Sequence, residues 1–352
     1  MCDNKITIDA DRIKRLKDKH RGTVIRDNHI DQLLNNSEIA YNEEKAIRKG
    51  YNVLSSHEDV SVDSLKNSLY SHNTDIIFQR IKNKFSEVYN FDVSDLNFVN
   101  DRTQGSVNAF FGADLIFFDR ILEDTLHAFF MVTLIWAKYF EDENLYGRFF
   151  NYLTAVLHAA IVDKATYNIY DCEYIKREVQ QWSSTVNLAV SCQYYCMYFC
   201  IAHEVAHKYI VETKDKMSNI REEFTADSIA YDIVLRLMID EENSVIENKD
   251  RELFAYCYLA PMMIFDFWDL LFYSNRVISK SYIKKDDKHP EIKRRKENLF
   301  SIPYTDEYDF DSSEGNDVYS AFLDVIDKYK TELLYRAENG TLNEFLDYIK
   351  GA

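Results

Sequence analysis

The sequence predicts a predominantly α-helical α+β fold, and three observations predict it. Gly and Pro are scarce, 8 and 3 among 352 residues, whereas sandwiches and barrels need the many turns those residues build. Apolar positions recur at helical spacing over most of the chain. The exception is residues 96–118, where β-rich runs flank a short turn and imply a small sheet within a helical body.

Taken in order, residues 1–90 are polar with a helical pattern, and Ile76, Ile77, Ile81 and Phe85 continue it at helical spacing. Residues 96–99, 107–111 and 115–118 read as strands, the last two joined by Gly112-Ala113-Asp114 as a hairpin. Helices are expected over 120–139, 143–170, 173–211, from about 220, and over 247–274, 289–300 and 316–336. Gly315 is expected to mark a surface loop before the last of them. The expected division is an N-terminal helical region over 1–92, a core over 93–302 and a C-terminal helical extension over 303–352.

Composition narrows the function classes. With 46% apolar and 14% aromatic residues the chain can bury a sizeable core and is not a disordered one. A net charge of −17 repels phosphate backbones and anionic lipid, so neither nucleic acid nor a membrane surface is the expected partner. The first residues are charged and show no apolar leader. Residues 128–140 are too few to span a bilayer. Residues 253–273 are enough, but Asp266 and Asp269 would be costly in lipid, so the segment reads as a buried helix. Six cysteines in a chain of this length do not form a disulfide framework. Cys192, Cys196 and Cys200 lie on one helical stripe and read as core packing. A cytoplasmic location is the expectation.

The chemistry concentrates at His203-Glu204-Val205-Ala206-His207, inside an apolar helical run. Residues four apart share a helix face, so the two imidazoles can converge on one ion. Imidazole suits zinc, and a catalytic zinc keeps a position for water. Glu204, offset around the helix, can take a proton from that water and pass it to a leaving amine. Sixteen residues beyond His207, Glu223 and Asp227 share a face of the next helix. Glu223 would complete a His-His-Glu set for one Zn2+ per chain. Asp227 would accept the free ring N–H of a ligand histidine. Glu222 is expected to face water. His289-Pro290 reads as a helix start, with Pro favourable at the first helical position. His289 could donate to a developing oxyanion, and Arg295 could anchor that helix on a carboxylate. The same spacing also fits a plain basic surface helix, the commoner meaning of such a pattern.

Together these three blocks resemble the gluzincin metallopeptidases related to the CAAX prenyl protease and the heat-shock protease HtpX. Asn108-Ala109-Phe110, followed by Asp114-Leu115-Ile116 and Ile121-Leu122, is similar to the hairpin and following helix of that group. The short gap from His207 to Glu223 and the run Glu222-Glu223-x-x-Ala226-Asp227-Ser228-x-Ala230 look most like the Lit-type phage-exclusion peptidases, cytoplasmic enzymes that cut a host protein during phage infection. The resemblance covers about residues 95–300. It implies a zincin-like core, zinc, proteolysis, and an edge strand carrying Asn108, Ala109 and Phe110 that pairs with extended substrate backbone. It favours His289 as a catalytic donor beside Glu204. The N-terminal ninety residues and 140–190 have no counterpart in that group, and the former could receive an activating partner.

The leading expectation is therefore a zinc-dependent endopeptidase acting on a protein substrate. A housekeeping metalloprotease of the same fold is one alternative. A non-catalytic, zinc-containing partner-binding protein is another, and Glu204 argues against it, since a structural site needs no general base and prefers four protein ligands.

Overall fold

The computed structural model describes residues 74–101, 109–112, 115–163, 167, 169–181, 183–213, 217–244, 257–278, 291–300, 312–343 and 346. Within them the chain is predominantly helical with one small sheet, as its sequence implies. Helix α1 (Thr74–Tyr89) leads to strands β1 (Asn97–Asp101), β2 (Ala109–Gly112) and β3 (Leu115–Asp119). Helices α2 (Arg120–Lys138), α3 (Glu143–His158), α4 (Glu173–Gln180), α5 (Ser184–Thr213), α6 (Asn219–Ser244), α7 (Ala260–Ile278), α8 (Ile292–Phe300) and α9 (Ser312–Glu338) follow.

The sheet has the order β1-β3-β2, with β1 parallel and β2 antiparallel to β3. Its side chains alternate with the period of two that a strand imposes. Ile116 and Phe118 of β3 are fully buried, Phe98 and Ala109 nearly so, and the pairings Phe98 with Ile116 and Ala109 with Phe118 put all four on one face. That face carries α1, whose Phe78 stacks on Phe98 at a centroid distance of 4.9 Å. β2 and β3 form the expected hairpin, and β2 is an edge among the described residues.

Helix α5 is the hub. Packed against it are α6, α2, α1 and α7, together with β2 and β3. Its composition explains this: from Cys192 to Ala206 only Glu204 escapes burial, so the helix is apolar all round, as a central helix must be. All five cysteines among the described residues are free and buried, and burial pushes the thiols of Cys196 and Cys200 up, so they act as small core residues.

Several expected boundaries shift. The helix expected over 143–170 ends at His158 and passes into a π-turn over Ala159–Asp163. The single helix expected over 173–211 is two, α4 and α5. At the break, the Ser183 hydroxyl accepts from the Val186 amide at 3.3 Å, a capping role that serine prefers to a helix interior. Of the helix expected over 247–274, residues 247–256 lie outside the described residues; a turn at 258–259 precedes α7, which begins at Ala260 with Pro261 in its first turn, where a missing N–H costs nothing. Gly315 does not mark a surface loop: it is buried within α9, which begins at Ser312. The expected helix start at His289-Pro290 lies outside the described residues, and α8 is described from Ile292. Residues 1–73 and Asn108 also lie outside them.

Candidate metal centre

Helices α5 and α6 pack as neighbours, and each carries fully buried alanines, Ala202 and Ala206 on α5 and Ala226 and Ala230 on α6, beside the residues of the site in sequence. The chain turns back between them, so that α6 opens with its carboxylates beside the two histidines of α5. His203 is 8% exposed, Glu223 6%, and His207 is half-buried.

The ring nitrogens converge. Nε2 of His203 and Nε2 of His207 are 3.1 Å apart, and the rings stand nearly perpendicular at 88°. Glu223 approaches both, with Oε2 3.5 Å from Nε2 of His203 and Oε1 3.6 Å from Nε2 of His207. One ligand atom from each residue falls within 4.8 Å of the others. Donors bonded to one ion at about 2.0–2.1 Å and at tetrahedral angles are separated by about 3.3 Å, so the set fits a divalent metal without rearrangement.

The hydrogen bonds on the far sides of the rings decide which nitrogens are available. Nδ1 of His207 lies 2.9 Å from Oε1 of Glu222. A carboxylate accepts and does not donate, so Nδ1 carries the proton and Nε2 keeps its lone pair. Nδ1 of His203 lies 3.0 Å from Oδ1 of Asp227, an oblique approach poorly aligned for a hydrogen bond but close enough to favour the same tautomer. Two lone pairs then face each other across 3.1 Å, an arrangement that a cation between them relieves.

The surrounding charge points the same way. Four carboxylates, Glu204, Glu222, Glu223 and Asp227, gather around two imidazoles, with Arg295 as the guanidinium among them. Burial works against a charge on His203, yet Asp227 and Glu223 outweigh it and raise its pKa to about 9. Burial alone would raise the Asp227 carboxyl, but Arg295 and His203 hold it below its usual value. The pocket thus asks for positive charge, from a proton or from a metal.

Arg295, on α8, grips Asp227 with two parallel hydrogen bonds, Nε to Oδ2 at 2.7 Å and Nη2 to Oδ1 at 2.6 Å. Its Nη1 is 3.5 Å from Oε2 of Glu223, and its guanidinium lies over the Phe265 ring at 4.9 Å. A planar fork matched to a carboxylate and stacked on an aromatic face is a role lysine could not fill. Glu204 is half-buried on α5 and has no hydrogen-bond partner among the described residues. β2, with Ala109 and Phe110, packs against the same helix. The Ala109 side chain is buried, so at that position β2 has only its backbone edge to offer.

The structure therefore brings together His203, His207, Glu223, Asp227 and Arg295. His289 and Asn108 lie outside the described residues. Glu222 does not simply face water: it is the partner of His207, with its side chain 28% exposed. Only the pairing of adjacent carboxylates hinted at this, since Glu222 and Glu223 meet the protonated and the bare nitrogen of the same imidazole.

Residues 150–310 match the model of the family Peptidase U49. That span contains α5, α6 and α8, and with them every candidate side chain on the helical side of the site. The match supports a peptidase. Comparison with curated proteins and with solved structures gave no match.

Proposed function

We propose that the chain is a zinc-dependent endopeptidase that hydrolyses a protein substrate in the cytoplasm. The observation that carries the reading is the convergence of two imidazole lone pairs and the Glu223 carboxylate, within the span that matches a peptidase family. Two imidazoles and one carboxylate suit zinc and leave a position for water, as catalytic sites require. His203, His207 and Glu223 would hold the ion, one per chain. Zinc bound there supplies an acidic water and a Lewis acid for the scissile carbonyl.

The chain's own residues do the rest. Glu204 follows the first histidine, so its carboxylate leaves α5 beside the metal ligands, free to accept the water's proton and return it to the leaving amine. Asp227 lies against the His203 ring and favours its Nδ1–H tautomer, and Arg295 holds Asp227. α8 is thereby fastened to the site, and in this reading His289 would stand beside it. There His289 would donate to the developing oxyanion. The edge of β2 would pair with an extended substrate through Asn108, Ala109 and Phe110. The zincin-like core over 93–302, with helical additions on either side, belongs to the same reading, as does an activating partner for the N-terminal region. A role in phage exclusion rests on the run from Glu222 to Ala230 and its short separation from His207.

The test is profiling of new protein N-termini in cells expressing wild type or Glu204→Gln, with the zinc content of both proteins measured. The expected result is equal zinc and cleavage reduced by about 100-fold or more in the variant. Equal cleavage by both proteins would remove Glu204 from the chemistry.

A further inference from the structure

The two histidines are supported by carboxylates of different standing. Asp227 is fully buried and both its oxygens are engaged by Arg295, so its charge is neutralised by a guanidinium that is itself only 9% exposed. Its approach to the His203 ring is oblique. Glu222 sits in the first turn of α6, partly in water, and its Oε1 meets Nδ1 of His207 at 2.9 Å in a well-formed hydrogen bond. Among the described residues it has no cationic partner.

We propose that Glu222 is the positioning residue of the centre: it fixes His207 as an Nε2 donor and its charge strengthens metal retention, while Asp227 and Arg295 chiefly secure the fold around the site. This inference rests on the metal-site reading. The physical reason is direct. A carboxylate opposite the metal raises the basicity of the imidazole between them and locks the ring's rotation and tautomer. A carboxylate already neutralised by a guanidinium polarises the imidazole less. Glu222 also immediately precedes the ligand Glu223, so both residues travel with one turn of α6. The helix start delivers a ligand and the support of another ligand together.

The experiment compares zinc affinity, by competition with a chromophoric chelator, and the thermal stability of the metal-free protein. The proteins are wild type, Glu222→Ala, Glu222→Gln and Asp227→Ala. Glu222→Ala is expected to bind zinc roughly 10- to 100-fold more weakly, with metal-free stability close to wild type. Glu222→Gln keeps an acceptor oxygen without the charge and should recover part of the loss. Asp227→Ala should lower metal-free stability clearly, since it strands a buried guanidinium. Zinc affinity of Glu222→Ala within about twofold of wild type would overturn the proposal, since outer-shell support is worth more than that. So would a Glu222→Ala protein as unstable as Asp227→Ala, or a Glu222→Gln protein that recovers nothing. A wild-type protein that takes up no zinc would instead overturn the metal-site reading beneath it.

Discussion

Arg295 was expected to anchor its helix on a carboxylate, but at the level of single residues its partner was hidden. In the sequence it stands in Lys293-Arg294-Arg295-Lys296, a run that does not say which carboxylate it meets. Folding buries it and leaves its neighbours wetter, because it alone faces Asp227, Glu223 and the Phe265 ring. Arg295→Met, which keeps much of the volume but removes the charge, should destabilise the fold by about 3–5 kcal/mol, the usual cost of stranding a buried carboxylate. Urea denaturation measures it; a loss under about 1 kcal/mol would mean that Asp227 finds water or protonates at little cost. The histidines and Glu204 were legible because the i, i+4 spacing on an apolar helix has few other meanings. Glu222 was not, since an acidic pair at a helix start is usually solvated. His289 is tested by function: His289→Ala should lower turnover by roughly 10- to 1000-fold with zinc content unchanged. Loss of zinc would make it a ligand and reopen the assignment of Glu223.

Among elements, α8 is the clearest case of polar fastening. Of its nine residues only Arg295 and Leu299 are buried, too little apolar surface to hold a helix in place. Three side chains bind it to its neighbours instead: Arg295 to Asp227, Lys296 to Asp266 on α7, and Asn298 to Ser228 on α6. Asp266 also accepts from Tyr319 of α9 at 2.7 Å, so the C-terminal helix reaches the same fastening. Periodicity could place α8 but could not show these partners, which lie 30 to 70 residues away. The break between α4 and α5 was equally invisible, because apolar spacing continues across it from Val179 to Val186 and only a serine cap interrupts it. For β2, hydrogen exchange offers a direct readout. In the Glu204→Gln protein, a bound peptide substrate should slow exchange of the amides of β2 that point away from β3. Unchanged exchange across 109–112 would remove the strand from substrate binding.

Across the whole molecule, charge and burial settle what composition alone left open. The apolar segment around Phe267 carries Asp266 and Asp269, and both find cations on other helices, Lys296 and Lys330. Those pairs fit a helix built into a protein core, and no described helix is long and apolar enough to cross a membrane. The core is continuous from Ile77 of α1 through α5 to Tyr329 of α9, so the site is set in a framework that both ends of the described chain help to build. Fold class was legible because scarce Gly and Pro and strong helical spacing act along the entire length. The arrangement of helices around α5 was not, since packing partners are chosen by surfaces that spacing does not encode.

The central claim is that His203, His207 and Glu223 form one zinc site, and metal analysis of the purified protein tests it most directly. Elemental analysis after dialysis should give one zinc per chain for wild type, and His203→Ala and His207→Ala should each lose it. Full zinc occupancy in both variants would contradict the account.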